Sequence, residues 1–357
     1  MSDLKDLVDI SKYAGERFDL IQAGGGNSSV KLDNGQMIIK ASGYLLSDMT
    51  EINGYSTVET KKISCIAETE NIINQKDKRK REHLTNLMIN AATIDKENRP
   101  SIETILHSFL YKYTLHTHPI VVNIITIQKQ WKEILFKIFD EEEIALVSYK
   151  TPGIELGLEL KRVLKSFDSM PKIIFLQNHG LIISSNDKAD IENLNEKVLD
   201  KIEKYLDIDM RKYKLTNKIS NILKSIEKKS KNISYLSDDN YLNEKVKKDK
   251  SLFFKAPFCP DGLVFCGTSA VEITNLSDSK EIKSYEKRFF ELPKVIIYNN
   301  YIFFIAPNIK KAKEIEEVMK FHIIVLENSV DKDINFLDTE EIAYLNNWEA
   351  EKFRQKL

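Results

Sequence analysis

Apolar residues near the N-terminus recur at helical spacing. Leu4, Leu7, Val8 and Ile10 share one stripe, which predicts an amphipathic helix over residues 3–17. A glycine run, Gly24-Gly25-Gly26, ends that pattern. The next apolar positions form two short runs, SVKL and QMIIKAS, divided by Asn34-Gly35, the pair favoured in two-residue hairpin turns. Residues 66–98 read as mainly helical and polar, with the KDKRKR cluster at 76–81 as a solvated face. Pro100-Ser101 then opens an apolar helix carrying Ile102, Ile105, Leu106, Phe109 and Leu110, followed by a predicted strand in YTLHTHP. A further helix runs from Thr151-Pro152-Gly153 through Leu156, Leu160, Val163 and Leu164. After Pro171, two apolar runs meet at Asn178-His179-Gly180, and a helix with Ile191, Leu194, Val198 and Ile202 closes this unit near residue 210.

Short strands alternating with helices predict an α/β domain over 1–210. Residues 211–250 are crowded with Lys, Ser and Asn and predict a helical linker. A smaller α+β unit is expected over 251–357, containing a hairpin about Asn299-Asn300 and a helix from about 309 to 327. Its stretch Phe289, Phe290, Val295, Ile296, Ile297, Ile302, Phe303, Phe304 and Ile305 is more apolar than so small a unit is expected to hide, which suggests packing on the first domain or on a neighbouring subunit.

Charge narrows the function. With 53 basic and 54 acidic groups the net charge is −1, so nothing global points to nucleic acid or an anionic membrane. The N-terminus lacks the apolar core of a secretion signal, and no stretch reaches the roughly 20 apolar residues of a membrane span. Cys65, Cys259 and Cys266 are odd in number and scattered, so no disulfide framework is implied, and a cytoplasmic, reducing location is expected.

Three of the six histidines lie in two compact motifs. In His116-Thr117-His118 the strand period turns both imidazoles to one side, which suits two ligands on one ion. His179 sits where two strands turn and can project from a sheet edge into a cleft. Three histidines with open positions match a catalytic metal site; Zn²⁺ is the first choice, and Mn²⁺, Fe²⁺ or Co²⁺ would also fit. Each piece has an ordinary alternative, since a lone His-x-His or a histidine in a turn is usually incidental. His83, His107 and His322 read as surface or satisfied core residues. Glu103, near a helix start, reads most simply as a first-turn charge. The glycine run followed by Asn27 and Ser28 leaves amides free to cradle an anion, or is a flexible turn. Ser42-Gly43 and Ser101 are further candidate anion contacts.

Taken in order, these motifs resemble the class II aldolase/adducin family. The family's Gly-Asn-x-Ser loop stands here as Gly26-Asn27-Ser28-Ser29, and its Ser/Thr-Gly step as Ser42-Gly43. Its Pro-Ser-x-Glu helix start is Pro100-Ser101-Ile102-Glu103, followed by His116-Thr117-His118-Pro119, Pro152-Gly153 and Asn178-His179-Gly180. Beyond residue 210, PDGLVFCG and the tail LNNWEAEKFRQKL resemble the extended branch related to rhamnulose-1-phosphate aldolase. The resemblance implies a three-layer α/β/α catalytic domain with His116, His118 and His179 as metal ligands and Glu103 as acid/base. It implies a phosphate pocket from Gly26, Asn27, Ser42, Gly43 and Ser101. The implied reaction cleaves or forms a carbon–carbon bond in a ketose, in particular a ketose 1-phosphate, through a metal-stabilised enediolate. Pentulose-phosphate 4-epimerisation, dehydration or decarboxylation and a non-catalytic adducin-like module share the scaffold. The family also implies a homo-oligomer, a tetramer foremost. One position departs from the pattern: Ile102 stands where several members carry a second hydroxyl.

Overall fold

The computed structural model describes residues 2–227, 232–329 and 333–347, and the chain divides into two compact units, Met1–Met210 and Arg211–Leu357. The last ten residues of the tail that resembled the extended branch lie outside the described residues.

The first unit begins with α1 (Ser2–Gly15), the hairpin β1 (Asn27–Lys31) and β2 (Gln36–Lys40), then β3 (Tyr55–Glu59). Next come α2 (Thr60–Ile66), α3 (Glu70–Ile73), α4 (Lys78–Ala92) and a single short turn, α5 (Thr104–Ser108). β4 (Tyr113–Thr117), α6 (Ile120–Thr126), α7 (Trp131–Ile138) and β5 (Ile144–Val147) follow. α8 (Ile154–Leu164), the hairpin β6 (Ile173–Leu176) and β7 (Gly180–Ser185), and α9 (Lys188–Leu206) complete it.

These strands form a seven-stranded sheet in the order β3-β2-β1-β4-β7-β6-β5, antiparallel except for β5–β6. Alternating side chains send Val30, Ile38, Leu115, Phe175 and Ile183 to one face, where α1, α6, α7 and α9 cover them. Met37, Ile39, Ile174 and Ile182 go to the other, under α2, α4, α5 and α8. The result is three layers. Turn chemistry sets the register. Gly35 takes φ 82°, and Asn34 Oδ1 accepts the Gln36 amide at 3.0 Å. Between β6 and β7, Asn178 takes φ 53°, a left-handed conformation that asparagine tolerates.

The helix expected from Pro100 does not form there. Ala41 and Pro100 pair as an isolated antiparallel bridge, which keeps residue 100 extended, and α5 starts only at Thr104. Glu103 is therefore the residue before the helix, with φ −96° and ψ 13°, and its side chain makes no capping bond.

The second unit corrects the expected linker. Residues 211–250 contain α10 (Arg211–Ile226), β8 (Ile233–Leu236) and α11 (Asn240–Lys248), all of which contribute to this unit's core. The polar composition there reflects one wet face per helix, while Ile219, Ile222 and Leu223 face inward. α12 (Pro260–Cys266), β9 (Val271–Glu272), α13 (Lys280–Phe289), the hairpin β10 (Val295–Tyr298) and β11 (Tyr301–Ala306), α14 (Ile309–Asn328) and α15 (Thr339–Asn347) follow. The sheet order is β8-β11-β10-β9, with helices on both faces. Asn299 and Asn300 both take positive φ, 49° and 61°, as the two-residue hairpin requires. The apolar stretch expected to need a further surface is covered within the unit: Val295, Ile296, Ile297, Ile302, Phe303, Phe304 and Ile305 are all buried. Of that group only Phe290 is largely exposed, at 93%. This stretch therefore needs no second copy of the chain to cover it.

Candidate metal centre

The site gathers at the ends of the central strands. β1 runs antiparallel beside β4, so Asn27 at its start lies opposite His116 near the end of β4. β7 flanks β4 on the other side, with Thr117 opposite Leu181. His116 is 1% exposed, and its Nδ1 lies 3.0 Å from the Leu181 carbonyl oxygen. A carbonyl can only accept, so Nδ1 carries the proton and Nε2 presents a lone pair. His118 follows the strand end, its amide donating to the Leu20 carbonyl at 2.9 Å. Leu20 belongs to a turn anchored by the buried Arg17–Asp19 pair, 2.5 Å apart. Gly25 makes room for this imidazole, since a Cβ there would stand 2.8 Å from His118 Nδ1. His179 is the last residue of the β6–β7 turn.

These elements bring three Nε2 atoms together. His116 Nε2 is 3.1 Å from that of His118 and 3.3 Å from that of His179. One ligand nitrogen from each ring lies within 4.8 Å of the others, the one such His/Cys/Asp/Glu cluster among the described residues. Nitrogens about 2.0–2.1 Å from a tetrahedral ion stand roughly 3.3–3.4 Å apart, so the donor set fits a divalent metal. Burial, with the His179 and His118 imidazoles, lowers the pKa of His116, and burial with His179 brings that of His118 down to about 4. Both favour the neutral ring that a metal needs.

Glu103 closes the group. It is 6% exposed, with Oε2 3.5 Å from His116 Nε2 and Oε1 3.3 Å from His179 Nε2. Oε1 accepts no hydrogen bond among the described residues, an orphaned buried acceptor beside the imidazoles. Asn27 Nδ2 donates to Oε2 at 2.6 Å and to Ser101 Oγ at 3.3 Å; Ser101 Oγ also accepts the Glu103 amide at 3.3 Å. Burial raises the Glu103 pKa, while His179, Asn27 and Lys40 oppose that rise.

The structure thus assembles His116, His118, His179, Glu103, Asn27 and Ser101 in one place. Asn27, expected as a phosphate contact, spends its amide protons on Glu103 and Ser101. Gly26 is buried beside it, where a Cβ would stand 2.7 Å from the His116 carbonyl oxygen. Ser42 and Gly43 are exposed, on a segment tied to the Glu103 segment through the Ala41–Pro100 bridge and the Ser42 amide bond to Arg99 O, 2.8 Å. Ile102, at the position lacking a hydroxyl, is 45% exposed. Lys40 was missed. It is 3% exposed, donates to the Tyr44 carbonyl at 2.7 Å, and so holds the Ser42–Gly43 turn while placing positive charge near Glu103. The only sequence signal was a lysine inside the apolar run MIIKA.

Gly180 offers a test of this packing. A Cβ there would stand 2.1 Å from the Thr117 carbonyl oxygen, so Gly180→Ala must part β4 from β7 beside His179. The expected outcome is a loss of about 1–3 kcal/mol in a denaturant melt, together with weakened metal binding. Unchanged stability would show that the strand ends are free to shift.

Comparison with known proteins follows the same lines. A protein of Bacillus subtilis (strain 168), described as uncharacterized oxidoreductase YuxG, is 26% identical over 214 residues, 57% of this chain. The match spans 29% of that protein's length. The N-terminal class II aldolase domain of a conserved Thermoplasma acidophilum protein covers 57% of this chain and 93% of its own at 23% identity, with a TM-score of 0.49. L-fuculose-1-phosphate aldolase from Thermus thermophilus covers 57% and 94% at 15% identity, with a TM-score of 0.38. The model of the class II aldolase and adducin N-terminal domain matches residues 5–196, which contain every side chain of the histidine site. The chain belongs to the class II aldolase and adducin family.

Proposed function

We propose that the protein is a metal-dependent lyase that cleaves or forms a carbon–carbon bond in a ketose, with a ketose 1-phosphate as the preferred substrate. One observation carries this reading: the buried Glu103 carboxylate faces the three converged imidazoles, with one oxygen held by Asn27 and the other without a hydrogen-bond partner. A structural metal site has no use for such a group. A base poised beside a substrate does.

In this reading His116, His118 and His179 hold a divalent metal, Zn²⁺ foremost. When bound, the metal supplies the positive charge that stabilises negative charge developing on the ketose oxygens. Glu103 holds and moves the proton that aldol chemistry requires, and Asn27 fixes its orientation. Burial of this carboxyl favours uptake of a proton, as an acid/base group needs. Gly26, Asn27, Ser42, Gly43 and Ser101 bound the region assigned to the phosphate, although the Asn27 amide serves Glu103 first. Anchoring that remote group places the reacting carbons. Assembly into a homo-oligomer, a tetramer foremost, is proposed from the family alone.

The deciding experiment incubates the protein with a panel of ketose 1-phosphates and scores aldehyde release. Two fragments support the lyase; an unfragmented isomer identifies an epimerase, and loss of water or CO₂ identifies a dehydratase or decarboxylase. Ser42→Ala probes the phosphate end, because this exposed side chain has no hydrogen bond among the described residues. KM for a phosphorylated ketose is expected to rise roughly tenfold with kcat little changed, the size of one bond to a charged group. Equal KM in both proteins would place the phosphate elsewhere.

A further inference from the structure

The family match ends before the second unit, yet that unit carries a half-open cavity of about 790 Å³. Small-molecule sites fall at roughly 300–1,000 Å³. Much of its wall is apolar, with Phe265, Phe289, Leu292, Ile305 and Ile315 among the lining residues. The charged residues on the wall are unbalanced: Arg288, Lys294 and Lys311 stand against the single carboxylate of Glu291.

Their individual surroundings sharpen the contrast. Glu291 is held in place, with Oε1 accepting the Thr268 amide and hydroxyl at 3.1 Å each and the Tyr285 hydroxyl at 3.3 Å. Lys294 Nζ donates to the Val264 carbonyl at 2.5 Å, the one hydrogen bond of this side chain among the described residues. An ammonium has three protons to donate, so two remain for another partner. Burial lowers the pKa of Lys294, which marks an incompletely compensated cation. Arg288 is exposed at the rim, its guanidinium 4.9 Å from the Phe289 ring centroid, and Lys311 pairs with Glu314 at 2.9 Å. Among the described residues, Lys294 and Arg288 thus have no anionic partner of their own at salt-bridge distance.

We propose that this cavity binds a small amphipathic organic anion, whose apolar body lies against Phe265, Phe289 and Leu292 and whose acidic group is drawn to Lys294 and Arg288. The anion would complete the hydrogen bonding of Lys294 and offset its desolvation. Neither half of the wall would suffice alone. A wholly apolar ligand leaves the ammonium uncompensated, and a small inorganic anion leaves the walls wet.

The test uses the full chain and 8-anilinonaphthalene-1-sulfonate, a fluorescent probe with an aromatic body and one negative charge. Saturable binding of about one probe per chain is expected, and affinity should fall at least roughly tenfold in Lys294→Gln and in Arg288→Glu. The neutral dye Nile red should bind more weakly than the sulfonate, and equally weakly in the parent and both variants. Arg288 is exposed, so its substitution decides the matter even where Lys294→Gln does not fold. Absence of saturable binding, or equal sulfonate affinity in the parent and Arg288→Glu, overturns the proposal.

Discussion

Alanine at His116 or at His179 is expected to reduce bound divalent metal from about one per chain to background, as read by elemental analysis after dialysis. The expectation follows from how few donors there are. His116, His118 and His179 form the sole cluster of three metal-ligating side chains among the described residues, so no second cluster can take over the ion when an imidazole is lost. His116 is also the best oriented of the three, because the Leu181 carbonyl fixes its Nδ1 proton and hence the exposed lone pair at Nε2. His83→Ala, at an exposed position on α4, is the matched control and should keep its metal. Because the readout is metal content, it tests the site independently of any substrate. Full occupancy in both His116→Ala and His179→Ala would mean that the triad does not hold the ion.

Glu103→Gln is expected to behave in the opposite way, retaining the metal while losing turnover. The replacement keeps the shape of the side chain and an oxygen that can still accept from Asn27 Nδ2, so the architecture should survive. What disappears is the ability to take up a proton. General acid–base groups contribute about 10²–10⁴-fold, and kcat should fall by that order with a much smaller change in KM. Near-normal turnover would assign proton transfer to another group. Loss of metal would instead make the carboxylate a ligand.

What could be read in advance depended on whether the signal was local. The Asn34-Gly35 and Asn299-Asn300 hairpins were legible because their turns demand positive φ, which few residues accept. His116 and His118 were legible as a pair from the strand period. The start of α5 was not, because residues 102–110 carry a helical apolar pattern while residue 100 is held extended by a bridge to Ala41. Residues 211–250 misled for a related reason: lysines on the wet faces of α10 and α11 hid the inward stripe that the second sheet covers. The supporting shell of Glu103 had no local signature at all. Asn27 and Glu103 are 76 positions apart, and only the sheet reveals that the asparagine serves the carboxylate.

The central place of β4 also governs when the site can come into being. Its partners on either side are β1, from the first hairpin, and β7, from the last, and the His116–Leu181 contact alone closes a loop of 65 positions. Closing such loops loses chain entropy before any contact repays it, so nonlocal pairing is slow relative to hairpin formation. Early hairpins such as β1–β2 therefore carry Asn27 without its carboxylate, and β6–β7 carries His179 without its fellow imidazoles. During synthesis, a ribosome-bound chain that stops short of residue 179 has at most two of the three histidines. With the proposed triad as the site, capture of an ion becomes a late, cooperative event of folding, and a metal-sensitive probe would report completion of the whole first sheet.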